Sequence, residues 1–388
     1  MTAPFKIVVL IDTSRASGRE TLKGVSAFGQ SNGHWEICLM PLLYNAPTES
    51  SHMLQWLKAQ NADGIIARDF QQTEALQSFN IPIIQCSSSS HLPAATYTIA
   101  TDDPQIATLA FNYLSALGHS QFAYCGFSHL SWSTQRGTYF HDLVIKNNQQ
   151  IHLYKTVQKK QPQPWHLEKP QLISWLKDLP KPIALLACND DRGIQIIEAC
   201  KEANIIIPDE IAILGCDNDN LVCNLTTPPL SSMQVNFHRG GFEGAQLLDD
   251  ILNKRPLKHT KILAQGTEVV SRTSTNIFAI NDTDLQQAVT YIRSHYLEQL
   301  DVDQVVNQTA LSRRVLENRF RKYLNRSIYQ EIQRVQIQHI ADKLVHTNLS
   351  VAQIALSLNF TSSEHISRLF KKIKGLSPLA YRKANSPQ

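Results

Sequence analysis

The chain has 388 residues, which exceeds the length of an ordinary single domain, so we expect two or three domains with their own cores. Hydrophobic residues make up 43% and charged residues 18% of the sequence, a composition typical of a globular protein and not of a disordered one. Apolar runs such as Ile7–Ile11 are too short for a signal peptide or a membrane span, and we therefore expect a cytoplasmic protein without a membrane partner.

The net charge of +4 is unevenly distributed along the chain. From Asp284 onward there are 15 Lys and Arg residues against 8 Asp and Glu residues, so this part carries +7 and the remainder carries −3. A basic excess confined to the C-terminal part favours a nucleic-acid partner for that part and an uncharged partner for the rest.

Strands alternate with helices in the first two thirds of the sequence. The predicted strands form a first set, Phe5–Ile11, Trp35–Leu39, Gly64–Ala67, Ile81–Cys86 and Tyr97–Ala100, and a second set, Phe122–Cys125, His152–Tyr154, Ile183–Cys188 and Ile211–Gly215. A helix is expected from about Arg19 to Gln30, and nearly continuous apolar strands indicate parallel sheets covered on both faces. Two such sets predict two lobes with a cleft between them.

Motifs for common enzyme classes are absent from the sequence. There is no G-x-G-x-x-G after the first strand, and no P-loop, H-E-x-x-H or G-x-S-x-G motif. The seven cysteines form no C-x-x-C pair, so we expect reduced core residues and neither a metal nor another cofactor. The carboxylate pairs Asp102–Asp103 and Asp190–Asp191 each follow a predicted strand, a position that suits ligand binding with or without catalysis. With so little else that a reaction needs, we expect no catalysis.

Several segments of the two predicted lobes match a known family. They are Leu117–His119, Tyr124–Phe127, Trp132 with Arg136, Leu185–Asp190, Ile206–Asn218 and Pro228–Met233. Over most of residues 5–275 the chain resembles the sugar-responsive core of lactose- and galactose-repressor-type regulators and periplasmic sugar-binding proteins.

This resemblance implies a set of sugar-binding residues. Arg136, Asn189 and Asp217 match positions that hydrogen-bond sugar hydroxyls in the family, and Asp190 lies beside one of them. Trp132 is expected to pack against the C–H face of the sugar ring. The alternatives are a surface helix residue for Arg136 and a polar loop cap for Asp217.

The basic C-terminal part begins with a predicted pair of short helices. Asp301 and Gln304 have the spacing of a capping box before a helix that carries Val302, Val305 and Val306. After a turn, Ser312 opens a second helix. Its predicted buried side is Leu316, Phe320, Tyr323 and Leu324, and its predicted exposed side is Arg313, Arg314, Glu317, Asn318 and Arg321.

One long helix, Ser327 to His346, is predicted to separate this pair from a second one. In the second pair, Ser350 with Gln353 starts a helix that ends at Asn359, and Thr361 with Glu364 starts the next helix. Its predicted buried stripe is Ile366, Leu369, Phe370 and Ile373, and its other face carries His365, Ser367, Arg368, Lys371 and Lys372. Such a helix can read base edges in a major groove and pair its lysines with phosphates. The alternative is a solvated face on an ordinary helical hairpin.

About the last hundred residues resemble the arabinose-operon-regulator-type DNA-binding domain of bacterial activators. The most specific matches are Ile354–Ala355, Asn359–Phe360, Ser367–Lys372, Gly375, Ser377–Pro378 and Tyr381–Arg382. The resemblance implies DNA contacts by Arg314, Asn318, Ser363, His365, Ser367 and Arg368. The chain differs from the family pattern in having Asn325 and Asn359 where glycine is usual, and asparagine tolerates the left-handed conformation there.

The order of these parts resembles xylose-operon activators of bacteria over nearly the whole chain. The implied fold class is α/β, with a two-lobed periplasmic-binding-protein-like core and an all-α domain with two helix-turn-helix units. We expect a sugar-sensing domain at 1–275, a linker at 276–283 and a DNA-binding domain at 284–388. The implied partners are operator DNA, a small sugar such as xylose, RNA polymerase and a second copy of the chain. The alternatives are a sugar-responsive repressor and a sugar-acting α/β enzyme with a DNA-binding tail.

Overall fold

The computed structural model describes most of the chain. The described residues are 4–32, 34–39, 50–68, 76, 78–86, 97–155, 164–275, 282–296, 300–324, 326–347, 349–357, 360 and 363–385. Asn325, Asn359 and Thr361 lie outside them, as do most of the expected linker and the side chains of Ser363 and His365. The predictions for these residues therefore remain predictions.

The first lobe contains a six-stranded parallel sheet. Its strands are β1 (Phe5–Leu10), β2 (Trp35–Leu39), β3 (Gly64–Arg68), β4 (Ile83–Cys86), β5 (Tyr97–Thr101) and β11 (Lys261–Ala264), in the order β11-β5-β4-β3-β1-β2. Its helices are α1 (Ala16–Asn32), α2 (Ser50–Gln60) and α8 (Phe237–Leu252). Ile7 and Ile66 pack into the core on one face of the sheet, while Val8 and Ile65 pack into the core on the other. This burial on both faces accounts for the uninterrupted apolar strands.

The second lobe repeats this arrangement with one change. Its strands are β6 (Gln121–Cys125), β7 (Gln150–Leu153), β8 (Ile183–Ala187), β9 (Ile211–Asp217), β10 (Ser231–Val235) and β12 (Gly266–Val270), in the order β12-β10-β9-β8-β6-β7. All neighbouring strands are parallel except β10 and β12. Its helices are α3 (Asp103–Ala116), α4 (Ser131–Lys146), α5 (Trp165–Asp178), α6 (Asp190–Glu202) and α7 (Asn220–Leu225). The two predicted lobes are confirmed, whereas β10, β11 and β12 were not predicted.

The chain crosses between the lobes three times, after β5, after β10 and after β11. Backbone hydrogen bonds tie the crossings together, since Asp102 N donates to Ala264 O at 2.9 Å and Asn236 N donates to Gln265 O at 2.9 Å. A hinge of three short segments allows the lobes to open and close as bodies.

The C-terminal part is all helical in its described residues. Its helices are α9 (Thr283–Ser294), α10 (Val302–Val306), α11 (Arg313–Leu324), α12 (Ile328–His346), α13 (Val351–Ser357), α14 (Ser363–Lys374) and α15 (Pro378–Asn385). The helix pairs α10–α11 and α13–α14 form two units on either side of α12. Ile332 on the first half of α12 packs into the core of the first unit, and Ile340 on its second half packs into the core of the second. The capping boxes at Asp301 and Ser350 are confirmed.

Two residues predicted to be buried are exposed, so these predictions were wrong. Tyr323 is 40% exposed and lies under the Lys322 ammonium, whose nitrogen is 4.9 Å from the ring centroid. Ile373 is 38% exposed, although Ile366 and Phe370 in the same stripe are fully buried. Ile373 lies in the last turn of α14, and Tyr323 lies in the last turn of α11 beside Leu324, which is itself buried. A stripe read from helical periodicity does not show where the opposing surface ends.

The C-terminal part rests on the second lobe through two anchors. Arg326 Nη2 donates to the carbonyl oxygen of Ala116 at 2.9 Å, and Leu117 beside it packs into the core of the first unit. The hydroxyl of Tyr381 in the second unit donates to Glu268 Oε2 of β12 at 2.7 Å. Each helix-turn-helix unit therefore has its own attachment to the same lobe.

All seven cysteines are free thiols. Six are buried and Cys38 is half-buried, which agrees with the prediction of reduced, mostly core residues. None of the described helices has the length and apolarity needed to cross a membrane.

Candidate ligand cleft and nucleic-acid interface

A cavity of about 600 Å³ lies between the two lobes. The five residues expected to contact a ligand, Trp132, Arg136, Asn189, Asp190 and Asp217, all line it. The first lobe contributes Asp12, Arg15, Ser17, Thr21 and Arg68 to the opposite wall. The volume is in the range of small-molecule sites, and the polar groups lie at the carboxyl ends of strands and on the loops and helices that follow them.

Arg136 is a buried wall residue, 2% exposed, so its alternative reading as a surface helix residue is wrong. Its Nε donates to Asp103 Oδ1 at 2.9 Å, Nη1 donates to the carbonyl of Cys188, and Nη2 donates to Thr101 Oγ1 at 3.1 Å. The guanidinium has five N–H groups, so two have no partner among the described residues. The guanidinium also lies 5.4 Å from the ring centroid of Trp132. Arg136 is thus held rigidly and still has donors for a ligand.

Asp217 ends β9 with a φ of 102°, a conformation that costs free energy for a residue with a side chain. Its carboxylate accepts no hydrogen bond from a nitrogen or hydroxyl of the described residues. Burial raises the pKa of Asp217 to about 6, while the positive charges of Arg136 and Arg68 act in the opposite direction. The capping role falls instead to Asp219, whose Oδ1 accepts from Leu221 N at 3.2 Å. Asp217 is therefore an acceptor available to a ligand.

Asp190 and Asn189 are largely occupied by internal partners. Asp190 accepts from Ser232 Oγ at 2.5 Å and from Asp219 N at 2.7 Å, one bond to each carboxylate oxygen. Asn189 caps α6, since its Oδ1 accepts from Arg192 N at 3.0 Å. Both Asp190 oxygens support the cleft loops, and the direct ligand contact that the sequence predicted for Asp190 stays a prediction.

The carboxylate pairs that were considered for catalysis also have structural partners. Asp102 caps α3 by accepting from Gln105 N at 3.3 Å, and Asp103 forms the buried ion pair with Arg136. Asp191 accepts from Arg15 Nε at 2.7 Å. These pairs hold the walls of the cleft in place.

We expect Asp190 to make the folding stability depend on pH. Burial raises the pKa of Asp190 from 3.8 to about 8, so between these values the folded protein holds a proton that the unfolded chain has released. Below pH 3.8 this proton makes its full contribution to the free energy of unfolding. As the pH rises from 3.8 to 8, the contribution falls by up to about 1.4 kcal/mol for each pH unit. The melting temperature of an Asp190→Asn variant, relative to the unmodified protein, should therefore rise between pH 5 and pH 8, as thermal melts would show.

The control for this prediction is Asp178→Asn, which replaces an exposed carboxylate at the end of α5. Its melting temperature relative to the unmodified protein should not vary over the same pH range. The prediction would be contradicted if the difference in melting temperature between Asp190→Asn and the unmodified protein stayed constant from pH 5 to pH 8.

Two ion pairs that connect the lobes were not predicted from the sequence. Arg15 pairs with Asp191 at 2.7 Å and Arg19 pairs with Asp219 at 2.9 Å, and both pairs join the first lobe to the second. A signal was present, because Asp191 and Asp219 each lie two residues after a predicted ligand residue in the same loop.

The helix-turn-helix units present basic, exposed faces. Arg314 and Asn318 are exposed on α11. On α14, Arg368, Lys371 and Lys372 are exposed and Ser367 is half-buried, opposite the buried Ile366 and Phe370. The second helix of each unit therefore carries these described residues on a face directed away from its buried core residues.

Comparisons with known proteins match both parts of the chain. Residues 111–275 match the model of a periplasmic binding protein-like domain, and residues 305–384 match that of a helix-turn-helix domain. The xylose operon regulatory protein of Haemophilus influenzae is 31% identical over 97% of this chain and 98% of its own length. The chain belongs to the family of xylose operon regulatory proteins.

Solved structures agree with this assignment. A xylose-binding transcription activator is 28% identical to this chain, matches all of both chains and has a TM-score of 0.61. The dimeric lactose repressor, at 19% identity and a TM-score of 0.54, shares the fold over 70% of this chain. Membership of the family makes the protein a DNA-binding transcription regulator with a ligand-binding domain, and not an enzyme.

Proposed function

We propose that this regulator is a xylose-responsive activator of transcription that works in the cytoplasm. The observation that carries the proposal is the inter-lobe cavity, which Asp217, Arg136 and Trp132 line together, with the Arg136 guanidinium 5.4 Å from the centroid of the Trp132 ring. An acceptor, a forked donor and an apolar ring are the groups that recognise a sugar. The names of the related proteins favour xylose among small sugars.

The roles within the cleft follow from which atoms are available. Asp217 accepts from two adjacent hydroxyls, Arg136 donates to a third oxygen, and Trp132 packs against the C–H face of the ring. The side-chain amide of Asn189 makes a further polar contact with the sugar. Asp190 holds the loop that carries Asp219.

The C-terminal part binds operator DNA in this proposal. Arg314 and Asn318 of the first unit read base edges, and so do Ser363, His365, Ser367 and Arg368 of the second, while Lys371 and Lys372 pair with phosphates. The 19 residues of α12 span about 28 Å, enough to hold the two units over separate major grooves.

The proposed domains are a sugar-sensing domain at 1–275, a linker at 276–283 and a DNA-binding domain at 284–388. We also propose a homodimer that contacts RNA polymerase. Two leucines of α7, Leu221 and Leu225, are 66% and 82% exposed, which favours a protein partner on that face. The lactose repressor of similar fold is dimeric.

The proposal is tested by measuring how the full-length protein binds DNA from upstream of its own gene, with and without each of a panel of pentoses. Xylose should raise the affinity more than its stereoisomers do. If xylose lowers the affinity, the protein is a repressor that uses the same parts. If no pentose changes the affinity, the proposed effector class is wrong.

A further inference from the structure

Asp219 connects the two lobes although it was not among the predicted ligand residues. It lies in the loop after β9 of the second lobe and is 3% exposed. Its carboxylate accepts from Ala16 N, at the start of α1 in the first lobe, at 2.8 Å, and from Arg19 Nη2 at 2.9 Å to each oxygen. Its own backbone N–H donates to Asp190, which fixes the loop. One buried carboxylate thus satisfies the N-terminus of a helix and a guanidinium on the opposite side of the cleft.

Arg19 connects Asp219 to the loop that forms the first-lobe wall of the cleft. Its Nη1 donates to the carbonyl oxygens of Thr13 at 3.1 Å and Ser14 at 2.9 Å, in the loop that follows β1. Near this loop, Arg15 reaches Asp191 across the cleft. The loop that forms the first-lobe wall is therefore held by two carboxylates of the second lobe.

The first-lobe end of these contacts is rigid. A Cβ added to Gly24 of α1 would lie 2.0 Å from the carbonyl oxygen of His238, and one added to Gly241 of α8 would lie 2.1 Å from that of Thr21. The helices α1 and α8 thus cross at backbone contact, and α1 cannot shift alone. Opening the cleft must separate Asp219 from both Ala16 and Arg19.

We propose that Asp219 is a positioning residue for the effector, a latch that stabilises the closed cleft while its carboxylate oxygens stay bonded to the first lobe. The apparent affinity for a ligand that binds the closed form is the intrinsic affinity reduced by the closed fraction. The latch therefore sets the sugar concentration at which the regulator responds. The inference rests on the proposed function in one respect, that the ligand of the closed cleft is a sugar.

The two inter-lobe ion pairs differ in how strongly they hold the lobes together. The Asp219 and Arg19 side chains are 5% and 30% exposed, while those of Asp191 and Arg15 are 30% and 52% exposed. Water screens the second pair more strongly, so Asp219 is the principal member of the latch.

The test uses the full-length protein and calorimetric titration with D-xylose. Asp219→Asn should raise the Kd for xylose about 10-fold, because charge-assisted bonds to the opposite lobe are lost. Arg19→Gln should also raise the Kd. In the double variant the Kd should rise by less than the product of the two single increases, because both substitutions remove the same contact. Asp178→Asn and Arg239→Gln, which change exposed side chains away from the cleft, are the matched controls and should leave the Kd unchanged.

A second measurement needs no ligand. In small-angle X-ray scattering without sugar, Asp219→Asn should have a larger radius of gyration than the unmodified protein. An unchanged radius, or an unchanged Kd with only a lower melting temperature, means that Asp219 has a purely structural role and overturns the proposal. If the unmodified protein does not bind xylose, the proposed function fails, and the scattering comparison still decides whether the latch exists.

Discussion

An Asp217→Ala variant is expected to lose its response to xylose while it binds operator DNA as tightly as the unmodified protein does without sugar. Asp217 lies in the cleft between the lobes and has no partner in the C-terminal domain, so its removal leaves the DNA-binding surface intact. A hydrogen bond to a charged group contributes about 1.5–3 kcal/mol, and loss of two such bonds raises the Kd for xylose at least about 100-fold.

The measurement is the shift in melting temperature caused by xylose, made together with an operator-binding titration. Asp178→Ala, which removes an exposed carboxylate of the same lobe, should keep the full shift. A normal xylose-induced shift in Asp217→Ala would show that the carboxylate does not bind the sugar. Loss of sugar-free operator binding would show that the substitution disturbs more than the cleft.

The fold was predictable where a local pattern carries it. Strands such as Ile183–Ala187 are apolar throughout because both faces of the sheet are covered, and the capping boxes at Asp301 and Ser350 mark helix starts through side chains three residues apart. The strands β11 and β12 are different. They are separated by one residue and yet belong to different lobes, and no local pattern shows that the chain changes sheets there.

The candidate site was predictable on one wall only. Arg136, Asn189 and Asp217 were identified through a family resemblance, and the structure brings them to one cavity. The contact between Asp219 and Ala16 joins residues 203 positions apart, and a charge in a polar loop looks the same in the sequence whether it faces water or a second lobe. Burial of a polar group is a tertiary property, so the latch required the structure.

The affinity for operator DNA is expected to fall about 1,000-fold or more between roughly 50 mM and 200 mM salt. The C-terminal domain carries a net charge of +7, and each of its cations that contacts a phosphate releases a condensed counterion. Titrations of a labelled operator at several salt concentrations measure the slope of log affinity against log salt. A nearly flat slope would rule out phosphate contacts as the main source of affinity.

Single substitutions on α14 should separate the two kinds of DNA contact. Arg368→Ala is expected to relax specificity at one or two base positions, at a cost of about 1–3 kcal/mol on the preferred site. Lys372→Ala is expected to weaken binding to all sequences about equally and to reduce the salt slope by about 1. Lys146→Ala, an exposed lysine of the second lobe, is the control for charge alone.

Selection on a randomised site library distinguishes these roles. The preferred bases should change for Arg368→Ala and stay the same for Lys372→Ala. Equal behaviour of the two variants would mean that the residues do not divide into base-reading and phosphate-pairing roles.

The account as a whole requires that the cleft and the DNA-binding domain be energetically coupled. The anchors for such coupling are present, since Arg326 and Tyr381 fix the two helix-turn-helix units to the second lobe, and β12 and α3 begin at the hinge. A ligand can shift this equilibrium only by its difference in affinity for the two arrangements. If xylose raises the affinity for operator DNA, then operator DNA must raise the affinity for xylose by the same factor.

Calorimetric titration of xylose into the full-length protein, alone and saturated with a two-site operator, therefore tests the central claim most directly. We expect a tighter Kd for xylose on the operator complex, by the factor by which xylose tightens operator binding. Equal values with and without DNA would contradict the claim, because the sugar-binding cleft and the DNA-binding domain would then act independently.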